Sequence, residues 1–339
     1  VMFLISGLAT IIAIVVVISI FIWLERRELT STWGDVRRGI WMAVTRAGLL
    51  RFKLEDDPKN WRPHVLVLSG APRRRWHLVE LASWLTHNKG LLTLSTVLQS
   101  DPVPSNRVRA MEISIGEYLT KRGLQSLVRI VQAPTLLEGS RRLVDAYGLG
   151  QLVPNTIMLG NSERPEYRKD FCEMVAYFNA ARRNVAILRL RNDRQFGSHR
   201  LIDVWWGGLK GNGGLMLILS YLLRTSIEWR GAVVRIKMVV PNESAAPAAL
   251  ENLKAIIRQS RTDAIPEVIV AEGRSFWEIL RGSSRVADLV FLGLAEPGPE
   301  FPKYYESLME RTSGLPTTLF VLAAEDLAFR EVLLEAHDS

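Results

Sequence analysis

From residue 61 onward, the chain alternates short, continuously apolar segments with longer segments in which apolar residues recur every three or four positions. HVLVLSG is followed by RRWHLVELASWLTHNKG, and the order repeats through LLTLSTVLQ, SLVRIVQA, NTIMLGN and NVAILRLR. Uninterrupted apolar segments of this length are typical of strands buried on both faces, and the periodic segments are typical of amphipathic helices. The alternation predicts an α/β fold with a parallel sheet that helices cover on both faces.

The same order of elements occurs a second time in the remaining sequence. RLIDVWW begins a further series of predicted strands, which continues through VVRIKMVV, EVIVAEG, ADLVFLGLA and TTLFVLAAE. The fourth strands of the two series even share an ending, in NTIMLGN and ADLVFLGLA. We therefore predict two tandem doubly wound lobes, residues 61–195 and 196–339, with a boundary near the polar segment RNDRQFGSH.

Residues 1–24 contain no charged side chain. A helix of that length spans roughly 36 Å, whereas the hydrocarbon core of a bilayer is about 30 Å thick. The alternatives are a buried helix and a signal peptide, but a signal peptide would begin with Met and basic residues rather than with Val1. The segment predicts a transmembrane helix, and a chain that begins with valine inside such a segment is expected to be a fragment, with room for further spans in the missing N-terminal part. Arg26 and Arg27 follow at once, so the positive-inside rule places the residues after about 25 in the cytoplasm.

A connecting helix is predicted within residues 25–60. Its apolar residues fall near helical spacing, with arginines between them, which is typical of an amphipathic helix that lies on lipid or packs against protein. These apolar residues are Trp33, Val36, Ile40, Val44 and Leu50.

The net charge of +8 raises the question of a nucleic acid partner. The sequence has no zinc-ligand spacing, no aromatic RNA-binding motif and no long basic segment, so no nucleic acid partner is predicted. Much of the basic charge instead follows the apolar segment, which favours the surface of a lipid bilayer. No histidine has metal-ligand spacing and no GxSxG or HExxH motif occurs, so neither a metal site nor an enzyme is predicted. Cys172 is interpreted as a small core residue.

One ligand crevice is predicted in lobe one. Open parallel sheets bind ligands beyond the carboxyl ends of their strands, where the strand order reverses. The first and fourth strands end there, and the candidate residues are Leu68, Ser69, Gly70, Gly160 and Asn161. The adjacent arginines, Arg73–Arg75, contact phosphate in one interpretation and form a solvated basic loop in the other, and both stay open.

The segment IDVWWGGLKGNGGLMLILSYLLR, residues 202–224, permits three interpretations. Arg224 interrupts the apolar residues too early for a membrane span, and the glycines lack the Lys-Ser/Thr ending of a phosphate-binding loop. We predict a strand, a glycine turn and a buried helix from Gly213 to about Trp229. Trp205 and Trp206 are then expected on opposite faces of the strand end.

Two long motifs, NWRPHVLVLSG and IDVWWGGLKGNGGLMLILSYLL, resemble the cation–chloride cotransporter family. TWGD (residues 32–35) and VPNTIMLG (residues 153–160) are also similar to that family. The residues that carry the resemblance, all expected to be structural, include Asn60, Trp61, Arg62, Pro63, Asp203, Trp205, Trp206, Gly213 and Gly214.

The resemblance implies a C-terminal regulatory domain of two lobes related to universal stress proteins. It implies attachment to the transmembrane core of an electroneutral transporter that moves Cl⁻ with Na⁺ and/or K⁺ in the cell membrane. It further implies a homodimer formed through the cytosolic domain, and ATP or ADP as the ligand of lobe one. The alternative is a membrane-tethered sensor of nucleotides or other small ligands. An enzyme ranks behind both, because no set of acid, base and nucleophile is visible.

Overall fold

The structure, a computed structural model, describes residues 7–26, 33–51, 61–87, 90–99, 103–162, 164–207, 210–260 and 262–324. The chain divides into two compact units, one comprising residues 1–54 with Gly150–Leu152 and the other comprising the rest. Asn60 and residues 1–6 of the predicted membrane span lie outside the described residues.

The first unit contains helices α1 (Gly7–Arg26) and α2 (Trp33–Arg51). In α2, both the apolar side chains of Ile40, Trp41 and Val44 and the basic side chains of Arg37 and Arg38 are exposed. Across the described residues, no helix reaches the combination of length and apolar character that crossing a membrane requires. The span over residues 1–24 therefore stays a prediction.

The second unit is a ten-stranded sheet with helices on both faces. Its strands are β1 (His64–Leu68), β2 (Leu91–Leu98), β3 (Leu127–Gln132), β4 (Thr156–Gly160), β5 (Asn184–Arg189), β6 (Leu201–Trp205), β7 (Val233–Val240), β8 (Ile265–Val270), β9 (Leu289–Gly293) and β10 (Thr318–Leu322). Its helices are α3 (Trp76–Thr86), α4 (Ser105–Lys121), α5 (Leu136–Ala146), α6 (Arg168–Ala180), α7 (Lys210–Thr225), α8 (Ala246–Ser260), α9 (Phe276–Ser283) and α10 (Phe301–Arg311).

The strand order is β3-β2-β1-β4-β5-β10-β9-β6-β7-β8. Counted from its own first strand, each half has the order 3-2-1-4-5, and every pair within a half is parallel. The predicted fold class of two tandem doubly wound halves is thus confirmed. The sequence did not predict that the halves join: β5 and β10 pair antiparallel, with Arg189 opposite Thr318. Strand β5 of the first half thereby pairs with the edge strand β10 of the second half, so neither half leaves that edge of its sheet unpaired.

The core has two layers, one on each face of the sheet. Val65 and Val67 point into one layer and Leu66 and Leu68 into the other, as the alternation of side chains along a strand requires. Each layer contains residues of both halves, so the halves share their core. Because neither the sheet nor the core is interrupted, the limits 61–195 and 196–339 stay predictions.

The segment between β5 and β6 is packed between the halves. The Phe196 ring lies 5.0 Å from Trp84 of the first half and 6.5 Å from Trp229 of the second, measured between ring centroids. The buried Asp288 carboxylate accepts hydrogen bonds from the backbone amides of Arg200 and Leu201, at 2.7 and 3.1 Å. These contacts fix the polar segment near the predicted boundary.

Candidate functional site

The residues predicted to line a ligand crevice lie at the carboxyl ends of β1 and β4, which are neighbours in the sheet with Leu68 opposite Leu159. The loop after β1 is fixed to β2, because the Ser69 amide donates to the Ser95 carbonyl at 3.3 Å and the Thr96 hydroxyl donates to the Gly70 carbonyl at 2.6 Å. Gly70 has a φ of +63°, a conformation that favours glycine. Gly70 therefore permits the turn, and the two hydrogen bonds to β2 hold it in place.

The Arg75 guanidinium lies over Gly160 in this crevice. A Cβ atom added at Gly160 would lie 3.4 Å from Arg75 Nη1 and 3.5 Å from Leu78 Cδ1. Arg75 is the residue before α3, so its charge adds to the positive potential of a helix N-terminus. The arrangement suits phosphate chemistry, and the nucleotide assignment stays a prediction.

Asn161, predicted for the same crevice, is engaged elsewhere. Its amide donates to the Leu188 carbonyl at 2.9 Å, and its Oδ1 accepts from the Tyr305 hydroxyl at 2.8 Å. Tyr305 belongs to α10 of the second half, and burial raises the pKa of its hydroxyl. Asn161 also lines a separate cleft between the two halves, together with Arg189. The structure thus places four of the five predicted residues at the ends of β1 and β4, and it directs the side chain of the fifth, Asn161, to Tyr305.

The basic loop beside the crevice is stacked on aromatic rings. The Arg73 guanidinium lies 5.1 Å from the Tyr118 ring, and Arg122 lies 4.4 Å from Trp76 and 5.0 Å from Tyr118. Arg73 and Arg122 are both exposed. Such stacking orders the arginines without neutralising them, so both interpretations of the loop remain open.

Asp203 of the second family motif is fully buried and heavily bonded. It accepts two hydrogen bonds from Arg235, at 2.7 and 2.9 Å, and a third from the Ser284 hydroxyl at 2.7 Å. The Trp205 indole in turn donates to the Ser284 Oγ at 2.9 Å. The Asp203–Trp205 pair therefore connects the second half's first strand to the segment after α9.

Lys237 and Glu267 complete this charge cluster. Lys237 is also fully buried, and its Nζ lies 3.0 Å from Glu267 and 3.7 Å from Asp203. Burial would lower the pKa of Arg235, but the hydrogen bond and charge of Asp203 and the charge of Glu267 raise it overall. Arg235, Lys237 and Glu267 were not predicted as partners of Asp203. The signal was present in VVRIKMVV, because two cations spaced two residues apart in a strand must share a face.

The second tryptophan of the motif packs on the other face, against the core layer that contains Val65. Helix α7 begins at Lys210 rather than at the predicted Gly213, so Gly213 and Gly214 lie inside the helix and not in the turn. A Cβ atom at Gly213 would lie 2.6 Å from the Trp206 ring. The Asn212 side chain in the first turn of this helix donates to the Leu294 carbonyl and accepts from the Ala323 amide, both at 2.7 Å, and so ties the start of the helix to the ends of β9 and β10.

Asn155 joins the two family motifs of the first half. Its side chain donates to the Arg62 carbonyl at 2.6 Å and accepts from the His64 amide at 3.1 Å. Trp61 packs partly buried against the core, and the buried Pro63 accepts a hydrogen bond from the Leu91 amide at 2.9 Å. The described residues of NWRP thus fix the start of β1.

No group of three or more His, Cys, Asp or Glu side chains that could hold a metal ion occurs in the part of the chain that the structure describes. Cys172 is buried in α6, and burial raises the pKa of its thiol to about 11. A thiol that stays protonated is a poor nucleophile, and its packing agrees with the interpretation as a core residue.

Residues 75–195 match the family model described as "Solute carrier family 12". The match confirms, over these residues, the resemblance that the motifs indicated. The chain is also similar in structure to the cytoplasmic domain of a prokaryotic cation chloride cotransporter, at 19% identity and a TM-score of 0.59, over 79% of this chain and 98% of that one. A universal stress protein from Archaeoglobus fulgidus DSM 4304 is similar over 78% of this chain and 98% of that one, at 12% identity and a TM-score of 0.52. At these identities the structural likeness concerns the fold.

Proposed function

We propose that this chain is the C-terminal regulatory and dimerisation part of an electroneutral cotransporter that moves Cl⁻ with Na⁺ and/or K⁺. The observation that carries the proposal is the family match over residues 75–195. The NWRP and DVWWGG motifs lie on either side of that range and resemble the same family. Three separate parts of the chain therefore support one assignment.

The proposed arrangement places residues 1–24 in the cell membrane and the α/β unit in the cytoplasm. The absence of charge in this segment supports a membrane environment, and the side chains of residues 11–20 in α1 are exposed apolar or small groups. The arginines that follow support a cytoplasmic location for the rest of the chain. The transport core and the second copy of this chain are the proposed protein partners.

We further propose that residues 25–60 couple the α/β unit to the transport core. Helix α2 carries exposed apolar side chains, including Ile40, Trp41 and Leu50, beside arginines. Such a helix packs its apolar side chains on a protein partner and directs its arginines to lipid phosphates or to an acidic surface. A change of state in the α/β unit must pass through a physical element of this kind.

Ion flux measured with a flexible insertion tests this function. A Gly/Ser segment inserted after Pro58 of the full-length transporter leaves both parts folded but removes rigid transmission. Chloride-dependent uptake of a K⁺ or Na⁺ tracer should fall or lose its regulation, with surface expression preserved. The matched control carries the same insertion after Gly273, in an exposed turn, and should transport normally.

Two results would contradict the proposal. Absence of any chloride-dependent cation flux from the wild-type protein would refute the cotransporter assignment. Normal flux and an unchanged oligomeric state after the Pro58 insertion would refute the regulatory role. The alternative function, a membrane-tethered small-ligand sensor, is favoured by the fold shared with a universal stress protein, and it predicts no flux at all.

A further inference from the structure

A cleft of about 310 Å³ lies where the two halves of the sheet meet. The first half contributes the residues at the ends of β4 and β5, and the second half contributes the end of α10 and the turn that follows. The polar lining residues are Asn161, Arg189, Arg191 and Ser313, and the apolar ones are Leu190, Met309 and Leu315. Gly314 completes the lining, which contains no acidic residue.

Arg189 carries a largely buried positive charge with neutral partners. Its Nη1 donates to the Thr312 hydroxyl at 2.7 Å, and its Nη2 donates to the Thr312 carbonyl. The guanidinium also lies 5.4 Å from the Phe320 ring. Burial lowers the pKa of Arg189 to about 10, so the group is still a cation at neutral pH. A buried charge is costly unless an opposite charge accompanies it, and an anion in the cleft would supply one.

Arg191 adds a second guanidinium to the same cleft. Its Nε donates to the Asp193 carboxylate at 2.8 Å, and its Nη1 donates to the Gly314 carbonyl at 3.3 Å. The Asp193 side chain is 62% exposed, so solvent screens this ion pair. The cleft therefore keeps a positive potential from Arg189 and Arg191, which both line it.

We propose that this cleft binds a small phosphomonoester that bridges the two halves. Planar guanidinium groups match the oxygens of a phosphate. The cleft is far larger than the roughly 30 Å³ that one water molecule occupies, and it falls at the lower end of the 300–1,000 Å³ that is usual for small-molecule sites. It thus has room for an organic group against Leu190, Met309 and Leu315. This binding is independent of the proposed transport function.

Isothermal titration calorimetry on the full 339-residue chain in detergent, in a gluconate buffer free of chloride, tests the site. Phenyl phosphate is the probe, because it combines a phosphate with a small apolar group. Saturable binding is expected, and Arg189→Gln and Arg191→Gln should each weaken it at least tenfold, as is typical when one charge-assisted contact is lost. Arg194→Gln is the matched control, because Arg194 is exposed, lies three residues from Arg191 and does not line the cleft. The affinity of this variant for phenyl phosphate should equal that of the wild type.

The proposal is wrong if phenyl phosphate does not saturate, or if the Arg194 variant loses affinity as much as the other two. It is also overturned if chloride or inorganic phosphate binds as tightly as phenyl phosphate, since the organic group would then have no place in the site. Should Arg189→Gln fail to fold, Ser313→Phe replaces it. That variant fills the cleft without removing a charge and should abolish binding, and retained binding would overturn the proposal.

Discussion

Removal of the Asp203 carboxylate should destabilise the α/β unit more than any surface change. Asp203 and Lys237 are both fully buried, and Arg235 is bonded to Asp203 through two nitrogens. In the Asp203→Ala variant, Glu267 is the one carboxylate of this cluster that remains to balance the two cations, Arg235 and Lys237. Breaking a buried ion pair in this way costs about 3–5 kcal/mol, out of the roughly 5–15 kcal/mol that stabilises a domain.

The assay is equilibrium urea unfolding of residues 61–339, which contain the complete sheet and both core layers. The wild type should unfold in one transition, and Asp203→Ala should lower the urea concentration at its midpoint by roughly a fifth or more. The control is Glu251→Ala, which breaks an exposed pair with Lys254 and should cost less than about 0.5 kcal/mol.

A second substitution separates charge imbalance from simple loss of packing. In the Asp203→Ala background, Lys237→Met removes the surplus cation and keeps an apolar side chain of similar length, so it should restore at least about 1 kcal/mol. Lys254→Met in the Glu251→Ala background should restore nothing. An Asp203→Ala variant as stable as wild type, or a Lys237→Met change that only adds further loss, would refute the reasoning.

Three further predictions concern other parts of the α/β unit. Gly213→Ala should cost about 1–3 kcal/mol because the new Cβ would lie 2.6 Å from the Trp206 ring, whereas Gly116→Ala, a helical position with open space, should stabilise by about 0.5–1 kcal/mol in the same urea assay. Burial lowers the pKa of His64 below its usual 6.5, so the folded state holds a neutral ring. The contribution of His64 to the free energy of unfolding is therefore complete above about pH 6.5 and is lost as the pH falls through the pKa of the folded state. Unfolding measured from pH 7 to 5 should show this loss in the wild type and a shallower one in His64→Asn. ATP should bind in the crevice and bind more weakly to Arg75→Ala; calorimetry that detects no heat with the wild type at millimolar ATP would contradict the nucleotide prediction.

The order of elements could be predicted from the sequence because periodicity reports local burial. An apolar segment such as HVLVL, buried at every position, has the composition of a strand covered on both faces. The repeated alternation then predicts a doubly wound order, since parallel strands need crossover helices and those crossovers are right-handed. None of this requires knowledge of which distant residues touch.

The candidate site was predicted less completely, and the reason is visible at Asn161. Strand geometry places this residue at the end of β4, where the crevice was expected. The direction of its side chain depends on Tyr305, which is 144 residues away in sequence. No local pattern reports that contact, because a turn residue is free to point to either side of a strand end.

Periodicity along the sequence thus determined which residues form strands and helices and which side chains share a face. The tertiary structure alone decided that β5 pairs with β10, because a strand edge carries the same unpaired amides and carbonyls whichever partner covers it. It also decided that Asp203 is balanced by Arg235 and Lys237, while Arg189 meets neutral groups. The surroundings of Asp203 and of Arg189 depend on which distant segments folding brings together. The pattern of a single sequence carries no information on the distance in space between such segments.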